Sequence, residues 1–267
     1  MPAPAGRSPS CGSAGTSSIR CASARSRRCW PIRPSRSDLL VDLHNHTDHS
    51  PDSRNRLRDY ERAHARGRFD VVAITDHNTI AGAIEFREQA SFPVIVGQEI
   101  DTTDGELIGL YLEDAVPIGR SAVETAERIH AQGGLVYLQH PFYRLIRGRL
   151  RPEVREELRG RRLLDIVEAR NGGPWAAAGN ARALQWARAC DLPHAAASDA
   201  HEPAAIGSCL SVLADGHVDA ASLPGLLRSA TVIDRRSPAP IAIARHVASR
   251  ARSELAVRLG RPPRRLR

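Results

Sequence analysis

Lysine is absent from this 267-residue chain: all 38 of its basic residues are arginine. Cysteine is scarce and badly placed for a structural role. The five are Cys11, Cys21, Cys29, Cys190 and Cys209, an odd number with no CxxC pair. That excludes a disulfide framework and a cysteine-based zinc site, and it leads us to expect a reducing, cytoplasmic compartment. No apolar run approaches the ~18 residues that span a bilayer, and no continuous apolar core of a secretory signal is present. Acidic residues are missing from residues 1–37, which carry seven Arg. Methionine occurs only at Met1.

The net charge of +8 is unevenly spread. Residues 235–267 hold ten Arg and one acid, Glu254, so residues 38–234 carry 21 Arg against 29 acids. An acidic centre suits cation binding and not a surface that coats nucleic acid. We therefore expect no stable nucleic-acid complex. The basic ends read as solvated tails, with contact to RNA, DNA or anionic lipid as the sharper alternative. Residues 1–37, rich in Ser, Arg, Ala and Pro, cannot bury enough surface to offset the entropy of ordering, which predicts a disordered tail. A competing expectation is that this tail is not native and that translation starts near residue 38.

From residue 39 onward, apolar β-type runs alternate with helix-like segments. Strands are predicted at Leu39–Leu43, Val71–Thr75, Val94–Val96, Glu106–Leu112, Leu135–Leu138, Leu164–Val167, Ala195–Ala197 and Ser211–Leu213. Helices are predicted at Arg56–Ala65, Ile80–Ala90, Pro152–Arg159, Asn180–Ala189 and Asp219–Ser229. Ser121 and Glu124 form a capping box that opens another helix, ended at Gln132 by Gly133 and Gly134. The repeated β-then-α order argues for parallel strands with crossover helices, as a barrel in preference to an open sheet. A last segment, Ile241–Leu259, has helical apolar spacing. It reads as a helix docked on the barrel, or as an interfacial helix on anionic lipid.

Histidines and acids fall directly after the strands. Asp42, His44, His46, His49 and Asp52 follow the first, Asp76 and His77 the second, and Glu99 the third. His140, Glu168, Asp199 and His201 follow later ones. His44 and His46 flank one residue, so on an extended chain their rings share a face. In a parallel barrel the strand ends open on one face, where such enzymes keep their sites. These residues would converge there as a candidate metal site. His64 and His130 lie in helical stretches, His217 and His246 lie in polar contexts, and none of these, nor His194, receives a role.

The runs Asp42-Leu43-His44-Asn45-His46-Thr47, Ser50-Pro51-Asp52-Ser53, Ile74-Thr75-Asp76-His77-Asn78, Gly97-Gln98-Glu99-Ile100, His140-Pro141 and Ser198-Asp199-Ala200-His201 resemble the PHP (polymerase and histidinol phosphatase) family, its stand-alone phosphoesterases in particular. The resemblance covers roughly residues 39–235. It implies a distorted (β/α)7 TIM-like barrel, with two or three divalent metal ions at the C-terminal ends of the strands. Carried over by motif, one metal takes His44, His46, Glu99 and Asp199. A second shares Glu99 and takes His140, and a third takes Asp52, His77 and His201. Many members supply a further His to the second metal from the span between His140 and Asp199. Here that span offers only His194, and Glu168 stands in as the candidate.

Imidazoles and carboxylates without thiolate suit Mn, Zn or Fe(II). Clustered cations produce hydroxide at neutral pH and neutralise phosphate oxygens. Asp76, His77 and Asp199 are the candidate catalytic residues. Asp42 and Asp76, each beside a ligand, are candidates for orienting ligand rings. Arg144 and Arg170 are candidates for gripping the phosphate of a small phosphorylated substrate. The expected domain order is thus a tail (1–37), a metallophosphoesterase domain (38–235) and a basic helix and tail (236–267). Two other readings stay open: an amidohydrolase-type metal hydrolase, and a non-catalytic metal-binding scaffold. The amidohydrolase reading is weakened because the carbamylated Lys that often bridges its metals has no counterpart here.

Overall fold

The computed structural model describes residues 18–19, 30–31, 38–143, 148–173, 176–214 and 216–235. Arg144, most of the tail and the helix expected at 241–259 lie outside these residues. Strands β1 (Ser18–Ile19) and β2 (Trp30–Pro31) form a small antiparallel pair.

The remaining strands form one sheet of nine. Seven neighbours run in chain order: β3 (Asp38–Asp42), β4 (Val71–Ile74), β5 (Val94–Thr102), β6 (Gly105–Leu110), β7 (Leu135–Leu138), β8 (Ile166–Asn171) and β9 (His194–Ala197). Closure comes from the segments just beyond β3 and β9. There Asn45 bridges Ala200, and the Asp199 amide donates to the His44 carbonyl at 2.9 Å. The sheet is the expected TIM-like barrel, and its distortion is local. The β6 strand runs antiparallel to both β5 and β7, while β3–β4–β5 and β7–β8–β9 are parallel. The antiparallel strand β10 (Cys209–Ala214) lines β3, and β11 (Thr231–Asp234) pairs with β10.

Alternation along the strands sorts the core into two layers. Leu39 and Val41 of β3, Val71 and Ala73 of β4, and Ile108 and Leu110 of β6 share one buried cluster inside the barrel. Leu40, Val72, Ile74 and Leu107 face the other way, into a second cluster shared with the helices. That outer layer includes Tyr60 and Ala63 of α1 (Leu57–Ala65) and Phe86 of α2 (Ala81–Gln89). It also takes Ala126 and Ile129 of α3 (Ala122–Ala131) and Leu158 of α4 (Pro152–Gly160). Helix α5 (Ala177–Ala189) packs on β8. Leu223 and Leu227 of α6 (Leu223–Leu227) join the interior cluster.

Differences from the expected elements have local causes. Residue Ser121 caps α3 as expected, its Oγ accepting the Glu124 amide at 3.1 Å. The β5 strand extends to Thr102 because it pairs along its length with β6. The β8 strand starts two residues late. Asp165 before it is bound to His130 Nε2 and to the Val136 amide, both at 2.7 Å. Helix α6 is shorter than Asp219–Ser229, because Asp219 and Ser222 bond each other's amides in a turn that competes with helix. Strand β11 is four residues of mostly exposed side chains, with no alternating signal to reveal it.

Candidate metal centre

The chain beyond β3 brings His44 and His46 to the mouth of the barrel, fully buried, with their Nε2 atoms 3.1 Å apart. Glu99, in β5, places Oε2 at 3.4 Å from His44 Nε2 and 3.2 Å from His46 Nε2. Asp199, after β9, places Oδ1 at 3.5 Å from both. Four donors from three strands thus surround one point.

Each ring is held from behind. His44 Nδ1 lies 3.0 Å from Glu168 Oε1. The Glu168 carboxylate also accepts from the Tyr137 hydroxyl (3.2 Å), the His140 amide (2.7 Å) and Asn171 Nδ2 (2.9 Å). His46 Nδ1 lies 3.0 Å from Ser50 Oγ, whose own hydrogen goes to Asp76 Oδ1 at 2.7 Å. Thr47 donates to Asp76 through its amide (2.7 Å) and its hydroxyl (2.6 Å). Gly82 of α2 permits this approach, since a Cβ there would sit 2.3 Å from Asp76 Oδ2. Asn171 Nδ2 also reaches Asp199 Oδ2 at 3.0 Å.

These partners fix the tautomers and show that the site fits a cation. A carboxylate accepting four donors forces the proton of His44 onto Nδ1, and Ser50, having spent its hydrogen, does the same for His46. Two bare Nε2 lone pairs then face each other and two carboxylate oxygens. Such a set of acceptors repels itself unless positive charge lies between them. Without a metal, protons supply that charge. Burial opposes protonation of His44, but Asp199, Glu99 and Glu168 outweigh it and raise its pKa well above the ordinary value. Burial likewise opposes charge on Glu99, and His77 and His44 outweigh it, holding the carboxyl well below the usual range.

Two further groups flank this point. On one side Asp52 lies between His201 Nε2 (3.2 Å) and His77 Nε2 (3.7 Å), with His77 Nδ1 3.4 Å from Glu99 Oε2. On the other, His140 Nε2 lies 3.4 Å from Glu99 Oε1, and Glu106 is close to both. Backbone strain accompanies the donors. His140 (φ 29°) and Asp199 (φ 50°) both sit at positive φ, a conformation costing about 1–3 kcal/mol per residue that the surrounding packing must hold.

The structure brings together eight of the expected residues: His44, His46, Asp52, His77, Glu99, His140, Asp199 and His201. Asp76 and Glu168 stand behind the rings, each saturated by hydrogen bonds. Asp42 accepts the Ser198 amide at 2.9 Å and contacts no ring in the site. Arg170 does not turn to the centre; its Nε donates to Asp234 Oδ2 at 2.8 Å, on the unforeseen β11. Arg144 lies outside the described residues. His49 pairs with Glu85 at 3.1 Å. Sequence reasoning missed Glu106 and Asn171. Only the antiparallel direction of β6 brings Glu106 to the mouth, and Asn171 acts through partners far away in sequence.

Among the described residues no helix is long and apolar enough to cross a membrane. The PHP domain profile matches residues 42–157, and the PHP-associated profile matches residues 178–235. An uncharacterized protein of Methanocaldococcus jannaschii is 41% identical over 117 residues, covering 39% of this chain and 68% of the relative. A second from the same organism is 34% identical over 164 residues, covering 61% of this chain and 65% of the relative. The chain therefore spans about two thirds of the length of these relatives. Among solved structures, one from Bacteroides vulgatus is described as a two-domain protein containing a predicted PHP-like metal-dependent phosphoesterase. It superposes with a TM-score of 0.61 at 17% identity, over 84% of this chain and 70% of that one, a likeness of fold. With the motifs in order on a distorted barrel and both profiles matched along it, the chain belongs to the PHP domain family.

Proposed function

We propose that the protein is a metal-dependent phosphoesterase acting on a small phosphorylated molecule, a nucleotide, an oligonucleotide or a phosphorylated metabolite. The observation that carries this reading is the convergence of His44, His46, Glu99 and Asp199 on one point, with donor groups on both sides sharing Glu99. His44, His46, Glu99 and Asp199 would hold one divalent ion, Glu99 and His140 a second, and Asp52, His77 and His201 a third. Nitrogen and oxygen donors without thiolate suit Mn, Zn or Fe(II). When bound, such ions supply a nucleophile from water at neutral pH and neutralise the charge that builds on phosphate oxygens.

The chain's own residues hold this arrangement in place. Glu168 and the Asp76–Ser50 pair aim both Nε2 atoms inward. Asn171 keeps Asp199 turned toward them. The absence of Lys and the central position of Glu99 favour ester hydrolysis over the amidohydrolase alternative. A cytoplasmic setting follows from the odd cysteine count and the lack of a CxxC pair.

The test is phosphate release from a panel of phosphomonoesters and diesters, including nucleoside bisphosphates and histidinol phosphate. It is run with Mn or Zn added, and with chelator. Release that requires metal and stops with chelator is expected. Protein that binds metal yet releases phosphate from no ester would transfer the weight to the scaffold reading.

A further inference from the structure

The donor group around His140 contains a residue that no motif announces. In β6, Ile108 and Leu110 point into the barrel, so Glu106, two residues before Ile108, faces the same way. Because β6 is antiparallel, Glu106 stands at its start, at the mouth of the barrel. It pairs with Asp101, two residues beyond Glu99 on β5. Donor atoms of Glu99, Glu106 and His140 all lie within 4.8 Å of one another. Among the described residues no group donates a hydrogen bond to the Glu106 carboxylate. Two carboxylates this close repel each other, and a cation between them removes the repulsion.

A second observation comes from the segment that packs over Glu106. The Gly148 carbonyl accepts the Glu106 amide at 2.6 Å. A Cβ at position 148 would lie 1.8 Å from both Cδ and Oε2 of Glu106, and 2.0 Å from Oε1. Any other residue there would displace the carboxylate. The chain has glycine where its backbone packs on this acid.

We infer that Glu106 is a ligand of the divalent ion held by Glu99 and His140, and that Gly148 is the positioning residue that leaves room for it. This rests on the metal-centre reading above. It adds a carboxylate from β6 to the donors of Glu99 and His140. An acid here adds negative charge where a histidine would not, so this position should hold its ion more tightly.

The experiment is Mn(II) titration of the full-length protein by calorimetry, with metal content measured after dialysis. It compares wild type with Glu106→Gln, Gly148→Ala and His46→Ala. Melting curves in chelator confirm that each variant is folded. Glu106→Gln keeps the side-chain shape and is expected to lose one equivalent of Mn, or to weaken one binding step by at least ~10-fold. Gly148→Ala is expected to lower the same step. Wild-type stoichiometry and affinity in Glu106→Gln, with metal lost in His46→Ala, would overturn the role of Glu106 alone. Full metal retention in His46→Ala as well would overturn the centre itself, and Glu106 with it.

Discussion

Replacing Glu99 by Gln is expected to lower metal-dependent ester hydrolysis by about a thousandfold or more. Among the described residues, Glu99 is the one that touches all three donor groups. Its Oε2 reaches His44, His46 and His77, and its Oε1 reaches His140. Gln139 Nε2 donates to Oε1 at 3.0 Å and fixes the carboxylate from outside. The amide keeps the shape but removes the charge, and it offers N–H groups where lone pairs are needed. Metal ions in such sites supply several kcal/mol of transition-state stabilisation, and about 4 kcal/mol corresponds to about a thousandfold in rate. The control is Glu168→Gln, which alters the support of His44 without touching the donor point and should cost about 10–100-fold. Measured kcat/KM values that rank these two variants in the opposite order would refute the assignment of Glu99 as the shared ligand.

Removing metal is expected to lower the melting temperature by about 10 °C. A ligand at a thousand times its Kd stabilises the native state by about 4 kcal/mol, and each kcal/mol moves Tm by about 2–4 °C in a domain of this size. The pH dependence has a definite sign. In the metal-free site burial lowers the pKa of His77, but Glu99 and Asp52 outweigh it and raise it to about 10. Burial also lowers that of His201, and Asp52 outweighs it to give about 9. Both rings are therefore protonated near neutral pH without metal, and an incoming ion must displace those protons. Metal affinity should rise with pH from about 6 to 9, by up to ~10-fold per unit for each proton released. Scanning calorimetry with and without chelator at pH 6, 7.5 and 9 reads both effects. A chelator-induced shift that shrinks as pH rises would contradict this account.

The sequence carried most of the candidate donor set because these residues sit at strand ends, and strand ends are marked by apolar runs. His44 and His46 are legible from their spacing alone. Glu99, His140, Asp199 and His201 are legible from position after a strand and from family motifs. What the sequence hid depends on strand direction and on distant partners. The antiparallel setting of β6 brings Glu106 beside Glu99 and His140, and periodicity does not report direction. Strand β11 lacks alternation, so the partner that ties Arg170 to Asp234 could not be foreseen. Glu168 follows a strand as a ligand would, yet the His140 amide, Tyr137 and Asn171 converge on it and turn it into a support for His44.

The most direct test is an anomalous difference map from crystals grown with Mn(II), collected at a wavelength where manganese scatters anomalously. A peak is expected within coordination distance of His44 Nε2, His46 Nε2, Glu99 and Asp199, with further density beside His140 and beside His77 and His201. A map with no anomalous peak among these donors, from protein that retains Mn in solution, would contradict it.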